Sequence, residues 1–355
     1  MFYKNKNLQY LKRKRSGHKK KINGIYLDRN ERPVPFDRKT LNRLNKNLRN
    51  VPINFYPELE NFYIKLSKFL KYPKKQIFLT EGVSGGIKSI LETLTVPKKS
   101  NVIFPDPSFA MYKVYSDMYS LDARKIGYKN YSLDINQIKR MIDKNTAAVF
   151  IPNPNVPIES FMKLSELKDI ADVCKKHKAM LVIDEVYYPF SSYSAKKLIK
   201  YYEDTLILQS FSKAFGLAGI RLGYIMGSKR NIDYISKIRS GYETNSLSMA
   251  VAEFFIDNYQ IIEKYLLQVQ EGFKYLKKEL DNIGVEHNGG ENSNYIFINI
   301  RNKNKTRYIV KELSRKNIFV RDNWKRPFDN GFSVSGAPKK LMKVFVKEFK
   351  KIYLY

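Results

Sequence analysis

Lys213 stands just past a short apolar run, Leu206-Ile207-Leu208, with the length and character of a buried parallel strand. Ser210 and Ser212 lie on the approach to it, small residues follow, and Arg221 stands eight residues beyond. Desolvation at the end of a buried strand disfavours an ammonium, so a lysine placed there is poised to be a neutral amine. A neutral amine attacks an aldehyde and forms a Schiff base. Two hydroxyls and a planar guanidinium suit a phosphate. Aldehyde and phosphate in one molecule describe pyridoxal 5'-phosphate (PLP), the cofactor these residues predict.

The elements that must position such a group are readable around it. The strand Met180-Leu181-Val182-Ile183 ends in Asp184-Glu185-Val186-Tyr187. A carboxylate at the end of a buried strand is costly unless paired. A pyridinium nitrogen would pair with Asp184 and keep the ring an electron sink. The strand Ala148-Val149-Phe150-Ile151 ends in a proline-rich turn that holds Asn155. Asn155, Asp184 and Lys213 are each 29 residues from the next, all after predicted strands. Strands separated by helices predict an α/β fold with a doubly wound, mostly parallel sheet, whose ligands bind at the carboxyl ends of the strands. The strand Ile77-Phe78-Leu79, the turn Gly82-Val83-Ser84-Gly85-Gly86 and a helix from Ile87 to about Thr95 form an anion-binding layout. The same turn also reads G-x-S-x-G, a nucleophile elbow. Ser84, Asp184 and His287 then follow the chain order of an α/β-hydrolase.

Composition narrows the class. The chain has 355 residues, 43% hydrophobic and 14% aromatic, which makes it globular and large enough for one to three domains. No apolar run approaches a membrane span, and no apolar stretch follows the basic N-terminus as a signal peptide requires. The single Cys174 excludes an internal disulfide and fits a reducing cytoplasm. Cys174 and His177 have no further ligands at suitable spacing, so no metal is expected. The net charge of +31 is spread over the whole chain, which reads as compositional drift and not as a nucleic-acid surface; it still favours anionic substrates. The dense Lys12-Arg13-Lys14-Arg15 run belongs to a basic arm over 1–24.

The lysine segment, Ser210-x-Ser212-Lys213 with Gly219-x-Arg221-x-Gly223, closely resembles the lysine motif of PLP-dependent aminotransferases of fold type I. From residue 25 onward the chain is most similar to their histidinol-phosphate aminotransferase branch. Leu27 to Pro33 resembles its LxxNENP opening, with Arg32 where asparagine is usual, and Phe55-Tyr56-Pro57 its YP turn. Asn153-Pro154-Asn155-Val156-Pro157-Ile158-Glu159 is similar to NPNNPTG, with Ile158-Glu159 in place of Thr-Gly.

The resemblance implies fold type I, with a PLP-binding large domain over 25–245, its N-terminal segment touching a smaller α+β domain over 246–355. It implies that Lys213 carries the cofactor and acts as acid and base, that Asp184 holds the ring nitrogen, and that Asn155 and Tyr187 bond the ring's O3′. Phe109 falls where an aromatic stacks on the ring. Val83, Ser84, Gly85, Ser210, Ser212 and Arg221, with Tyr56 from the other subunit of a homodimer, hold the phosphate. Arg321, Asn30 and Asn155 face a small anionic amine, and glutamate and 2-oxoglutarate form the other substrate pair. One departure stands out. The family's second anion-binding arginine lies in an LRxxxG strand, and here that strand is Gly331-Phe332-Ser333-Val334-Ser335-Gly336, with Phe332 or a neighbour at the arginine's place. The implied activity is an aminotransferase of a phosphorylated amine. The alternative in the same chemistry is a PLP-dependent decarboxylase of a phosphorylated amino acid.

Overall fold

The computed structural model describes residues 24–129 and 131–354, together with Leu8 and Leu11. The expected basic arm over 1–24 therefore lies almost wholly outside the described residues. In chain order the strands are β1 (Ile25–Leu27), β2 (Ile77–Thr80), β3 (Asn101–Pro105), β4 (Asp122–Ile126), the short pair β5 (Tyr128–Lys129) and β6 (Ser132–Leu133), then β7 (Thr146–Pro152), β8 (Met180–Asp184), β9 (Thr205–Ser210), β10 (Gly223–Met226), β11 (Glu286–Gly289), β12 (Tyr295–Asn299), β13 (Ile318–Val320) and β14 (Gly331–Ser335).

Seven strands make the main sheet in the order β2-β10-β9-β8-β7-β3-β4. All run parallel except β10, which is antiparallel to both neighbours. The strands alternate with period two between apolar cores on the two faces. Leu79, Val149, Leu181, Ile183 and Ile207 point to one core, and Phe78, Phe150, Val182, Leu206 and Leu208 to the other. Helices Arg38–Leu48, Leu59–Leu70 and Leu164–His177 cover the first face through Leu44, Phe62, Leu66, Leu167 and Ile170. Helices Gly82–Leu94 and Met111–Met118 cover the second through Ile87, Ile90, Leu91 and Tyr112.

A separate core gathers the antiparallel sheet β11-β12-β14, the parallel pair β1-β13, and the helices Gln260–Asp281, Lys303–Arg315 and Lys339–Leu354. The pairing of β1 with β13 ties the start of the described chain to this second unit.

The region 229–283 is helical in three pieces, Lys229–Ile235, Ser246–Asp257 and Gln260–Asp281, with Gly241 and the cap Asn245 in the first break. Helix Ser246–Asp257 buries Met249, Ala252, Phe254 and Phe255 in the first core, so that core reaches past residue 245 as far as Ile262. The polar stretch Glu286–Gly289 is itself a strand, held by backbone pairing to β12 and hidden from a pattern search by its lack of apolar alternation. No helix among the described residues is long and apolar enough to cross a membrane.

Candidate active site

The register of the main sheet builds the site. Asp184, the last residue of β8, pairs with Pro152 at the end of β7 and Leu208 near the end of β9. Three carboxyl ends thus lie side by side, and Asn155, Asp184 and Lys213 converge just beyond them. The antiparallel β10 enters the sheet at this same edge, with Gly223 opposite both Thr80 and Ser210. That reversal brings Arg221 to the site. A side chain at Gly223 would strike the Gly82 backbone at 2.9 Å, so the close approach requires glycine.

One cavity of about 440 Å³ is lined by Asn30, Val83, Ser84, Phe109, Asn155, Asp184, Tyr187, Ser210, Ser212, Lys213, Arg221 and Arg321, together with Arg29, Glu31 and others. Most of the residues singled out from the sequence therefore meet there. Gly85 does not line it: helix Gly82–Leu94 begins at Gly82 and not after the glycines, and the Gly85 amide donates to Glu81 O at 3.3 Å. The amides without an intrahelical acceptor are those of Gly82, Val83 and Ser84. Tyr56 is 76% exposed, away from this cavity, and stacks on Tyr242 with ring centroids 4.6 Å apart.

Lys213 is half-buried, and its Nζ donates to the Arg29 carbonyl at 2.8 Å. Burial pulls its pKa down to about 8, opposed by Glu31 and helped by Arg321 and Arg221. Asp184 is 2% exposed. Its Oδ2 accepts from the Tyr112 hydroxyl at 2.6 Å and its Oδ1 from the Val186 amide at 3.0 Å. Burial raises it to about 6 despite these bonds. Tyr112 was not singled out for this role. Its signal is slight, one tyrosine three residues after Phe109 in a chain of 26 tyrosines. Phe109 meets the Tyr112 ring edge-on, with centroids 6.0 Å apart.

Asn155 is fully buried. Its Oδ1 accepts from Ser108 Oγ at 2.6 Å, and its Nδ2 donates to Pro107 O at 3.2 Å and to the Tyr128 hydroxyl. The Tyr187 hydroxyl accepts from Asn30 Nδ2 at 2.8 Å. Asn30 has φ +54; its amide donates to Ser335 Oγ at 2.7 Å and its carbonyl accepts from Asn294 Nδ2 at 2.8 Å. Ser210 Oγ donates to Leu222 O at 3.2 Å and can accept from Ser212 Oγ, 3.0 Å away. Arg221 is exposed, with an Nη donating to Ala218 O at 3.2 Å and Gly82 beneath the guanidinium.

Arg321 stacks on the buried Trp324, 4.3 Å from the ring, and among the described residues its side chain makes no hydrogen bond or ion pair. Burial lowers its pKa. The residues of β14 divide between two faces. Phe332 and Val334 face the second core, so strand alternation turns Ser333 and Ser335 the other way, and Ser335 reaches Asn30. Phe332 is a core residue, and Ser333, whose backbone pairs with Arg321, faces away from that core.

The hydrolase alternative does not assemble. His287 on β11 bonds Asp281 at 3.0 Å, away from Ser84, and Asp184 bonds Tyr112. Cys174 lies in the first core, where burial pushes its thiol up to about 12. No group of three metal-ligating side chains occurs among the described residues.

The donor set fits PLP. Asp184 is a buried carboxylate with no cationic partner among the described residues, as a pyridinium nitrogen demands. Opposite it stand a lysine of depressed pKa and a cluster of amides, hydroxyls and a guanidinium around glycines. Sheet, cavity and donors together define a PLP-dependent enzyme of fold type I. The profile of aminotransferase class I and II matches residues 23–327, and the chain belongs to that family. It is 30% identical over 313 residues to the histidinol-phosphate aminotransferase of Buchnera aphidicola subsp. Schlechtendalia chinensis, covering 85% of this chain and 83% of that protein. The enzyme of the same name from Clostridium acetobutylicum is 29% identical over 332 residues, 92% of each chain. The crystal structure of the Sinorhizobium meliloti histidinol-phosphate aminotransferase in complex with PLP superposes with a TM-score of 0.82 at 18% identity, covering 92% of this chain and 90% of that one, and shows the shared fold.

Proposed function

We propose that this aminotransferase exchanges an amino group between a small phosphorylated amine of the histidinol-phosphate kind and 2-oxoglutarate. The observation that carries the substrate class is Arg321, a half-buried guanidinium with no hydrogen-bond partner among the described residues, in the same cavity as Lys213. A partly desolvated charge without a partner is costly, and an anionic end of the substrate supplies the missing partner.

When bound, PLP supplies the electron sink that stabilises negative charge on the substrate carbon. The remaining work belongs to side chains of this protein. Lys213 Nζ, with a pKa of about 8, is matched to take up and return a proton near neutral pH. Asp184 presents fixed negative charge from the cavity floor, held by Tyr112 and the Val186 amide. The amides at the start of helix Gly82–Leu94, with Ser84, Ser210, Ser212 and Arg221, form the end that takes the cofactor phosphate. On this reading Asn155 and Tyr187, which border the cavity, bond the ring hydroxyl, and Phe109, also in its lining, covers the ring.

The reading includes a homodimer. Ile53, Phe55 and Tyr56 are all more than two-thirds exposed beside Tyr242 and Leu247, an apolar ridge that a second copy would cover, bringing Tyr56 to the neighbour's phosphate. A cytoplasmic enzyme is consistent with one buried cysteine.

The test is amino transfer from histidinol phosphate to 2-oxoglutarate by the purified enzyme, read as glutamate formed. Activity with the phosphorylated amine and its loss with the unphosphorylated one are expected. The absence of an arginine from β14 favours the second reading, decarboxylation of a phosphorylated amino acid, because that strand offers no guanidinium to hold a carboxylate flat against the ring. Carbon dioxide release without glutamate formation would establish it.

A further inference from the structure

The turn that carries Asn155 ends in Glu159, where the resembling motif has glycine. Glu159 adopts φ +59, a left-handed conformation that disfavours any side chain. Its carboxylate is nevertheless buried and saturated. Oε2 accepts from the Gly290 amide at 2.7 Å and from Ser293 Oγ. Oε1 accepts from the Asn292 amide at 2.6 Å, the Glu291 amide at 3.1 Å and Asn292 Nδ2 at 3.3 Å. The successive amides of 290–292 form a nest, a backbone concavity suited to an anion. That nest is the loop between β11 and β12 of the second unit, whereas Glu159 belongs to the turn after β7 of the main sheet.

Both ends of this contact lead to the cavity. On the Glu159 side, Asn155 and Ser160 exchange backbone hydrogen bonds of 2.9 and 3.2 Å, closing the turn around Glu159. On the loop side, Asn294 Nδ2 holds the Asn30 carbonyl, and Asn30 Nδ2 holds the Tyr187 hydroxyl. We propose that Glu159 is a positioning residue: by clasping the 290–293 loop it locks the second unit against the Asn155 turn and fixes the placement of Asn155 and Tyr187 toward the ring hydroxyl of the cofactor. The proposal rests on reading the cavity as the PLP site. The left-handed strain, which a glycine would relieve, is offset by the hydrogen bonds the carboxylate makes.

The test compares wild type with Glu159→Gly, which removes both the clasp and the strain, and with Ser293→Ala, which trims the clasp from the other side. Three readouts are taken: amide exchange of residues 286–294 in the cofactor-free protein, the pH midpoint at which the bound cofactor's visible absorbance changes form, and KM against kcat. In Glu159→Gly the loop is expected to exchange about tenfold or more faster. The absorbance midpoint is expected to move by about 0.5 pH or more, because bonding to the ring hydroxyl sets it. kcat/KM is expected to fall about tenfold, mainly through kcat. Ser293→Ala is expected to move all three in the same direction by less. Faster exchange with an unmoved midpoint and unchanged kinetics would make Glu159 merely structural and overturn the proposal, as would unchanged exchange. A wild-type protein that shows no cofactor absorbance with added PLP would instead overturn the reading of the cavity, even with the loop exchanging faster in the variant.

Discussion

Replacing Asp184 by asparagine is expected to stabilise the cofactor-free protein and weaken its response to PLP. The carboxylate is 2% exposed, and burial raises it from its ordinary 3.8 to about 6. That difference corresponds to ~3 kcal/mol of destabilisation when Asp184 is ionised in the fold. A carboxyl whose folded pKa lies above its unfolded value favours folding while it is protonated. Its destabilisation is therefore absent below pH ~4, grows between ~4 and ~6, and is complete above ~6. Asparagine keeps both contacts, since its carbonyl can accept from Val186 and its amide can donate to the Tyr112 hydroxyl. Unfolding entropy of ~2.1 cal/mol/K per residue over 355 residues makes 1 kcal/mol worth ~1.3 °C, so the ceiling is a rise of ~4 °C at pH 8. The assay is thermal unfolding of both proteins at pH 8 and pH 4.5, with and without PLP. Without PLP the variant should gain at pH 8 and gain much less at pH 4.5. With PLP the wild type should recover, because the ring nitrogen supplies the missing partner, and the variant should respond less. A variant equally destabilised at both pH values, or one that answers to PLP as wild type does, would refute the argument that Asp184 waits for a cation.

Other consequences are equally direct. The rate at which Lys213 captures added PLP, followed by visible absorbance, should rise with pH through a midpoint of about 8, because only the neutral amine attacks and burial holds this amine below its ordinary 10.5; a midpoint near 10.5 would deny the burial. Arg221→Ala should weaken PLP binding by about tenfold or more while leaving the cofactor-free fold intact, since the guanidinium is exposed and its hydrogen bonds among the described residues go to the carbonyls of Ala218 and Glu81. Arg321→Ala should lower kcat/KM for a phosphorylated amine by about 10–100-fold with PLP affinity unchanged, read by steady-state kinetics and cofactor titration.

How much of this was legible in the sequence depended on whether a residue declared itself locally. Asn155, Asp184 and Lys213 each follow a buried strand, so their convergence needed only the rule that ligands sit at the carboxyl ends of a parallel sheet. Arg221 was legible as part of a motif, but the reason it reaches the site was not, because the sense of β10 is a tertiary property. The Tyr112–Asp184 bond was hidden among many aromatics that the core also needs. Gly82 to Gly86 looked like a turn because glycine is a poor helix former, yet the helix begins at Gly82, where its positive φ is compatible with the entry and its lack of a side chain leaves room for Arg221. The missing arginine's place was legible only as Phe332 or a neighbour, because sequence spacing could not tell which residues of β14 face the core; the burial of Phe332 and Val334 shows which do. Glu159 was visible only as a departure from a motif. Its five hydrogen bonds reach across more than a hundred residues to a loop whose backbone, not its side chains, makes the nest.

The central claim is that Lys213 carries the cofactor, and one measurement addresses it without any assumption about substrate. The enzyme is loaded with PLP, reduced with borohydride, digested and analysed by mass spectrometry. The account requires the phosphopyridoxyl mass on the peptide containing Lys213, and its disappearance, together with the visible absorbance, in Lys213→Ala. A reduced cofactor on another lysine of this lysine-rich chain, or a Lys213→Ala protein that keeps both label and absorbance, would contradict it.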